Sequence, residues 1–74
     1  MSYPSREIVE QLRREFPTGC RVVLECMSDF QAPPIGTKGT VQFVDDIGSI
    51  HVRWDSGCGL AIAYGVDKCR RIDG

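Results

Sequence analysis

A chain of 74 residues has room for one hydrophobic core. A domain this small buries only ~60% of the surface its unfolded chain exposes, which excludes a deep cleft between lobes. An apolar fraction of 42%, a charged fraction of 26% and a formal charge of −1 fit an ordinary globular domain and lack the basic field on which nucleic-acid binders usually rely.

No apolar signal region follows Met1, and no run approaches a membrane-spanning helix. The expected location is therefore the cytoplasm, with no membrane partner and with Cys20, Cys26, Cys58 and Cys69 as reduced thiols. The charge is uneven: residues 25–55 are mildly acidic, and Lys68, Arg70 and Arg71 make a small basic edge. Solvated surface accounts for both.

Residues 5–16 read as an amphipathic helix, with Ser5 as N-cap and Glu7 in the first turn. Ile8, Val9, Leu12 and Phe16 share one side, and Pro17 ends the helix. Residues 20–26 read as the first strand, with Cys20, Val22, Leu24 and Cys26 on one face. A long loop, 27–37, is stiffened by Pro33, Pro34 and Gly36. The second strand spans 39–44.

With residues 45–48 as the turn, side-chain parity sets Phe43 against Ile50 and Val41 against Val52, with Gln42 against His51 and Thr40 against Arg53. A second turn, 55–59, then sets Trp54 against Leu60 and Val52 against Ile62. Residues 64–67 read as a short helical turn and 69–72 as a last strand. A helix followed by five short strands is the arrangement of an SH3-like small antiparallel barrel, whose closure removes exposed sheet edges. The whole chain, 1–74, is one domain, with the helix at 5–16 and the barrel at 20–72. A core this small also leaves room for a homodimer.

Few residues suggest chemistry. The cysteine spacings do not match paired C-x2–4-C zinc sites, and Cys20 and Cys26 lie roughly 20 Å apart on one extended strand. They read as small buried hydrophobes, and Cys58, between two glycines, as an exposed, modifiable thiol. His51, Arg53 and Asp55 share a strand face with no nucleophile placed beside them. Lys38-Gly39 lacks the rest of a phosphate-binding loop. No catalytic residue, metal or cofactor is assigned, and the chain is read as a non-enzyme.

Trp54 fills the barrel by parity, and Asp55 is expected to cap the following turn. Phe30 stands in the long loop where no periodicity asks for an aromatic, and Tyr64 precedes the last strand. Phe30, Pro33, Pro34 and Tyr64 are the candidate binding groove; the competing reading folds Phe30 and the prolines back as a plug. A protein partner is therefore expected. The alternative is nucleic-acid binding through Arg21, Lys38, Arg53, Lys68, Arg70 and Arg71, which requires those cations to share a face.

The chain resembles a bacterial and phage family known as domain of unknown function 4314. The resemblance rests on Phe16-Pro17-x-Gly19, Arg21-Val22-x-Leu24, Met27-x-Asp29 and the run Ala32-Pro33-Pro34-x-Gly36-Thr37-Lys38-Gly39-Thr40-Val41. It continues through Val44-Asp45-Asp46-x-Gly48, Ile50-His51-Val52-Arg53-Trp54-Asp55-x-Gly57 and Gly65-Val66-Asp67. It implies an origin in Gram-positive bacteria or their mobile elements and assigns no activity. The four cysteines depart from that pattern. Residues 39–57 are also similar to the SH3-like repeat of mind-bomb-type ubiquitin ligases, which implies the fold and hints at peptide binding. The acidic and aromatic pairs that grip polyproline are not recognisable.

Overall fold

The computed structural model describes residues 4–72, so both tips of the expected 1–74 domain lie outside the described residues. One helix, α1 (Arg6–Glu15), precedes β1 (Arg21–Cys26), β2 (Lys38–Val44), β3 (Ile50–Trp54) and β4 (Lys68–Arg71). The strands form one antiparallel sheet in the order β3-β2-β1-β4. The chain is mainly β, but the sheet is open: the expected five-stranded barrel does not close. The segment expected as a fourth of five strands contributes a single bridge, Ile62 with Ile50, through N–H···O bonds of 2.8 and 2.9 Å. No described helix is long and apolar enough to cross a membrane.

Local chemistry explains α1. The Ser5 hydroxyl accepts the Ile8 N–H at 3.3 Å, the Phe16 N–H returns to the Leu12 carbonyl at 2.8 Å, and Pro17 has no N–H to continue. Val9 and Phe16 are buried in the cluster formed by Val22, Leu24, Val41, Val44, Ile50, Val52, Trp54 and Ile62. That cluster marks the inner face of the sheet. Two polar ties fix the helix and the turn that follows it to β2: Arg13 Nε donates to the Val44 carbonyl at 3.1 Å, and Thr18 Oγ1 to the Gln42 carbonyl at 2.8 Å. Both carbonyls lie where β2 runs past the end of its ladder with β1, so these donors satisfy groups that would otherwise lack a strand partner.

The β2–β3 register differs from the parity argument in one place. Thr40 opposes Arg53 and Val41 opposes Val52, as expected, but a bulge at Gln42 then sets Phe43 against His51 and Val44 against Ile50. The turn is one residue longer than expected, and the bulge absorbs the extra residue. Val44 thus takes the buried place, and Phe43 moves to the outer face. A second irregularity, between Leu24 and Cys26 against β4, turns Cys26 outward, correcting its expected burial.

Trp54 is 1% exposed, as its parity requires. Its backbone N–H bonds the Cys58 carbonyl at 2.9 Å, and its indole N–H bonds the Leu60 carbonyl at 2.8 Å. The return segment therefore sits two residues from the expected register. A shift of two preserves the face, so Ile62 remains buried. Gly39 lies directly opposite Trp54. A Cβ there would stand 2.8 Å from the ring carbon Cε3 and 2.6 Å from Val52 Cγ1.

Trp54→Ala is expected to cost ~3–5 kcal/mol, enough to unfold much of the population. Gly39→Ala is expected to cost ~1–3 kcal/mol by overpacking. Urea unfolding of both variants checks the pair. A wild-type midpoint for Gly39→Ala would mean that the indole does not rest on this glycine.

Candidate functional site

Because the barrel does not close, a groove of about 330 Å³ remains between α1, the segment around Ile62–Tyr64 and the start of β4. Leu12, Phe16, Ile50 and Ile62 supply apolar lining from three different parts of the chain, and Tyr64 lines the same groove. Glu15, Glu25 and Asp67 line it against one ammonium, Lys68. The wall that carries Tyr64 is a single helical turn: the Val66 and Asp67 N–H groups return to the Ala63 carbonyl, and Asp67 Oδ2 accepts the Ala63 N–H at 2.9 Å. That turn matches the expectation for 64–67. Glu25 also pairs with Arg70, at 3.3 Å.

The expected partners of Tyr64 behave differently. Phe30, Pro33 and Pro34 do not belong to this groove lining. Phe30 is 94% exposed, so it does not plug the core. Pro33 is buried and Pro34 exposed. The loop has its own internal bonds: Asp29 Oδ1 accepts the Gln31 N–H, the Thr37 hydroxyl donates to the Pro34 carbonyl, and the Gly36 N–H reaches the Leu24 carbonyl. Those bonds shape the backbone and leave the Phe30 ring in water.

The six cations divide between faces. Directly opposed residues of antiparallel strands share a face. The pairs Arg21–Thr40, Thr40–Arg53, Val23–Lys38 and Val23–Arg70 therefore set Arg21, Arg53, Lys38 and Arg70 on the outer face. Arg71 opposes the buried Val22, and its guanidinium donates to the Glu15 carbonyl at 3.4 Å. Lys68 lines the groove.

Contrary to expectation, Asp55 does not cap the turn that follows it. It takes a two-pronged bond from Arg21, at 2.9 and 2.6 Å, and Arg21 also donates to Thr40 Oγ1 at 2.9 Å. The Arg21 hydrogen bonds, with the charges of Arg21 and Lys38, outweigh desolvation and hold the Asp55 carboxyl below its ordinary value.

Asp45 organises the β2–β3 turn. Its carboxylate accepts the Ser49 N–H at 2.8 Å, the Ile47 N–H at 3.2 Å and His51 Nε2 at 2.8 Å. Partial burial alone would push this carboxyl up. The bonds from His51, Ser49 and Ile47, with the charge of His51, more than offset it and leave the carboxyl below its ordinary value. Gly48 completes the turn at φ +83°, where a Cβ would also meet Pro4 at 2.6 Å.

Cys69 borders the groove, but burial, with Cys20, Glu25 and Glu15 nearby, pushes its thiol up to about 12. At neutral pH it is a thiol, not a nucleophilic thiolate. Cys58 is only partly exposed and packs against the core, so it is less accessible than its glycine neighbours suggest. No cluster of three or more metal-ligating groups occurs among the described residues.

The sequence missed Phe43 and the helix side of the groove. The legible signal for Phe43 was the adjacent apolar pair Phe43-Val44, only one of which can face inward on a regular strand. Leu12 and Phe16 have the spacing of core residues, and nothing in it reveals that they border an opening.

Phe30→Ala is expected to change stability by less than about 0.5 kcal/mol. A larger loss on thermal melting would restore the plug. Asp45→Ala is expected to cost ~1–2 kcal/mol at neutral pH. A carboxyl whose folded pKa lies below its unfolded value adds stability that is complete above the unfolded value of ~3.9 and fades as pH falls through the folded one. The gap between wild type and Asp45→Ala should therefore narrow below about pH 4. A gap that stays constant in urea titrations at neutral and acid pH would show that the turn does not depend on the charge.

No curated protein matches the sequence. The profile of the family described as Domain of unknown function (DUF4314) matches residues 5–72, from the N-cap of α1 to just past β4. The match takes in every element described above, and the chain belongs to this family.

Proposed function

We propose that the protein is a non-catalytic interaction module that takes a large apolar side chain of a protein partner into the groove beside α1, with a lysine or arginine of the partner at the rim. The observation that carries this reading is the groove itself: Leu12, Phe16, Ile50 and Ile62 border a space of about 330 Å³ that a fifth strand would otherwise fill. Burying one such side chain is worth ~1.5–3 kcal/mol, the scale of an anchor residue. With Glu25 paired to Arg70, Glu15 and Asp67 against one ammonium favour a cationic flank, and an Arg or Lys stem can lie along the apolar lining while its head meets either carboxylate.

The loop that carries Phe30 is a secondary contact in this reading, since its exposed ring and the exposed aliphatic side chain of Ile35 are free to meet a large partner. The non-enzymatic assignment is supported by Cys69, whose protonated thiol makes it a poor nucleophile despite its place at the groove. The sheet order and the long loop after β1 favour an SH3-like architecture left open at one seam. Four free cysteines suit a reducing bacterial cytoplasm, and the family resemblance suits a chromosomal or mobile-element origin.

Random-peptide display against the purified protein at moderate salt tests the reading. The expected consensus is a large apolar residue next to Lys or Arg. Tyr64→Ala or Glu15→Lys should weaken selected peptides about tenfold or more without lowering the melting temperature. Absence of enrichment, or amide shifts that map the peptides away from Leu12, Ile62 and Tyr64, would overturn it.

A further inference from the structure

The outer face of the sheet holds an arrangement that the groove does not use. Phe43 is 50% exposed and stacks on His51, with ring centroids 4.2 Å apart and planes 11° from parallel. His51 is itself oriented by its bond to Asp45. Phe43 also borders a shallow slot of about 220 Å³ that Pro17 and Thr18 help to line. The same sheet face carries Arg53 and Lys38. Among the described residues Arg53 makes no hydrogen bond or ion pair, and the Lys38 ammonium, which acts on Asp55 through its charge, makes no hydrogen bond. Of the acids nearby, Asp55 pairs with Arg21 and Glu25 with Arg70, while Asp45 is held by hydrogen bonds from His51, Ser49 and Ile47. The face therefore combines an oriented aromatic platform with a local surplus of positive charge, although the chain as a whole carries −1.

We propose that this face binds single-stranded nucleic acid, one base stacking on Phe43 in the slot beside Pro17 and the phosphates running along the strands toward Arg53 and Lys38. Stacking on an aromatic ring tolerates any base, and cations along the path neutralise phosphates; together these are the two ingredients of sequence-independent single-strand binding. Lys38 stands five positions from Phe43 along β2, roughly 15 Å of strand, so the footprint is a few nucleotides. A duplex keeps its bases paired and offers none to the slot.

Fluorescence anisotropy of a labelled oligothymidylate about ten nucleotides long, with a duplex of equal length beside it, tests the proposal. The single strand should bind more tightly than the duplex. With two to four phosphates neutralised, the slope of log K against log salt should fall between about −1.4 and −2.8. Phe43→Ala should weaken binding about five- to a hundred-fold, the equivalent of one lost base stack. Arg53→Ala, at an exposed position that leaves the core untouched, should weaken it and make the salt slope shallower by about 0.7. Tyr64→Ala, in the groove, should leave it unchanged, which separates this surface from the peptide site. No anisotropy change at low salt, equal affinity for single strand and duplex, or wild-type binding by a folded Phe43→Ala variant would each overturn the proposal. Amide shifts at β2 and β3 caused by the displayed peptides and not by the oligonucleotide would assign the face to protein and overturn it as well.

Discussion

The indole of Trp54 sets the terms for the rest of the molecule. It is the largest fully buried side chain, and it can lie flat in so thin a domain only because the residue opposite, Gly39, has no side chain. A buried indole must also satisfy its N–H, and it does so on the Leu60 carbonyl. That bond occupies a carbonyl on the segment that returns along β3. The segment is held at Cys58, at Leu60 and at Ile62, by one backbone bond, one side-chain bond and one bridge, and it covers the core without becoming a strand. The aromatic that makes the core possible thus shapes the chain that fails to close it.

The open seam follows from that compromise. Between Ile62 and β4 the chain makes one helical turn, fastened by Asp67 to Ala63, and does not run along α1. Leu12 and Phe16 are left to border a gap where a closed barrel would continue the sheet. In a domain of this size an unfilled apolar gap forfeits burial that it can ill spare, which is the physical reason to read the groove as a place for a partner. The polar ties of α1 and the turn after it, from Arg13 to Val44 and from Thr18 to Gln42, keep the helix in place without filling the gap.

Periodicity made α1, the strands up to Val41 and the inward places of Val22, Leu24, Val52 and Trp54 legible, because burial on one face forces period 2 in a strand and 3.6 in a helix. It failed where one residue too many had to be accommodated. The bulge at Gln42 exchanges Phe43 for Val44, and the irregularity after Leu24 turns Cys26 outward. Both are local insertions that parity arithmetic cannot locate, although two apolar neighbours at 43 and 44 show that regular alternation must break near there. The two-residue shift of the return segment was invisible for a different reason: it preserves every face, so no hydrophobic pattern distinguishes it. Of the candidate site, Tyr64 was legible as an unexplained aromatic, whereas its partners Leu12, Phe16 and Ile62 looked like any core residue.

Net charge is a poor guide to this surface, because much of the charge is consumed internally. Arg13, Arg21, Arg70 and Arg71 each donate to a carboxylate or a backbone carbonyl, and Asp45, Asp46, Asp55 and Glu25 each accept from a cationic or imidazole partner. Exposed pairs of this kind contribute ~0–1 kcal/mol each, so their main effect is on position and field. They orient Thr40, His51 and the β2–β3 turn, and the guanidinium pairs cancel Asp55 and Glu25 in place. What a ligand meets there is the remainder, Lys38 and Arg53 beside an aromatic stack. On the groove side the remainder is acidic, since Lys68 alone opposes Glu15 and Asp67. The same sheet therefore presents two surfaces whose uncompensated charges have opposite sign.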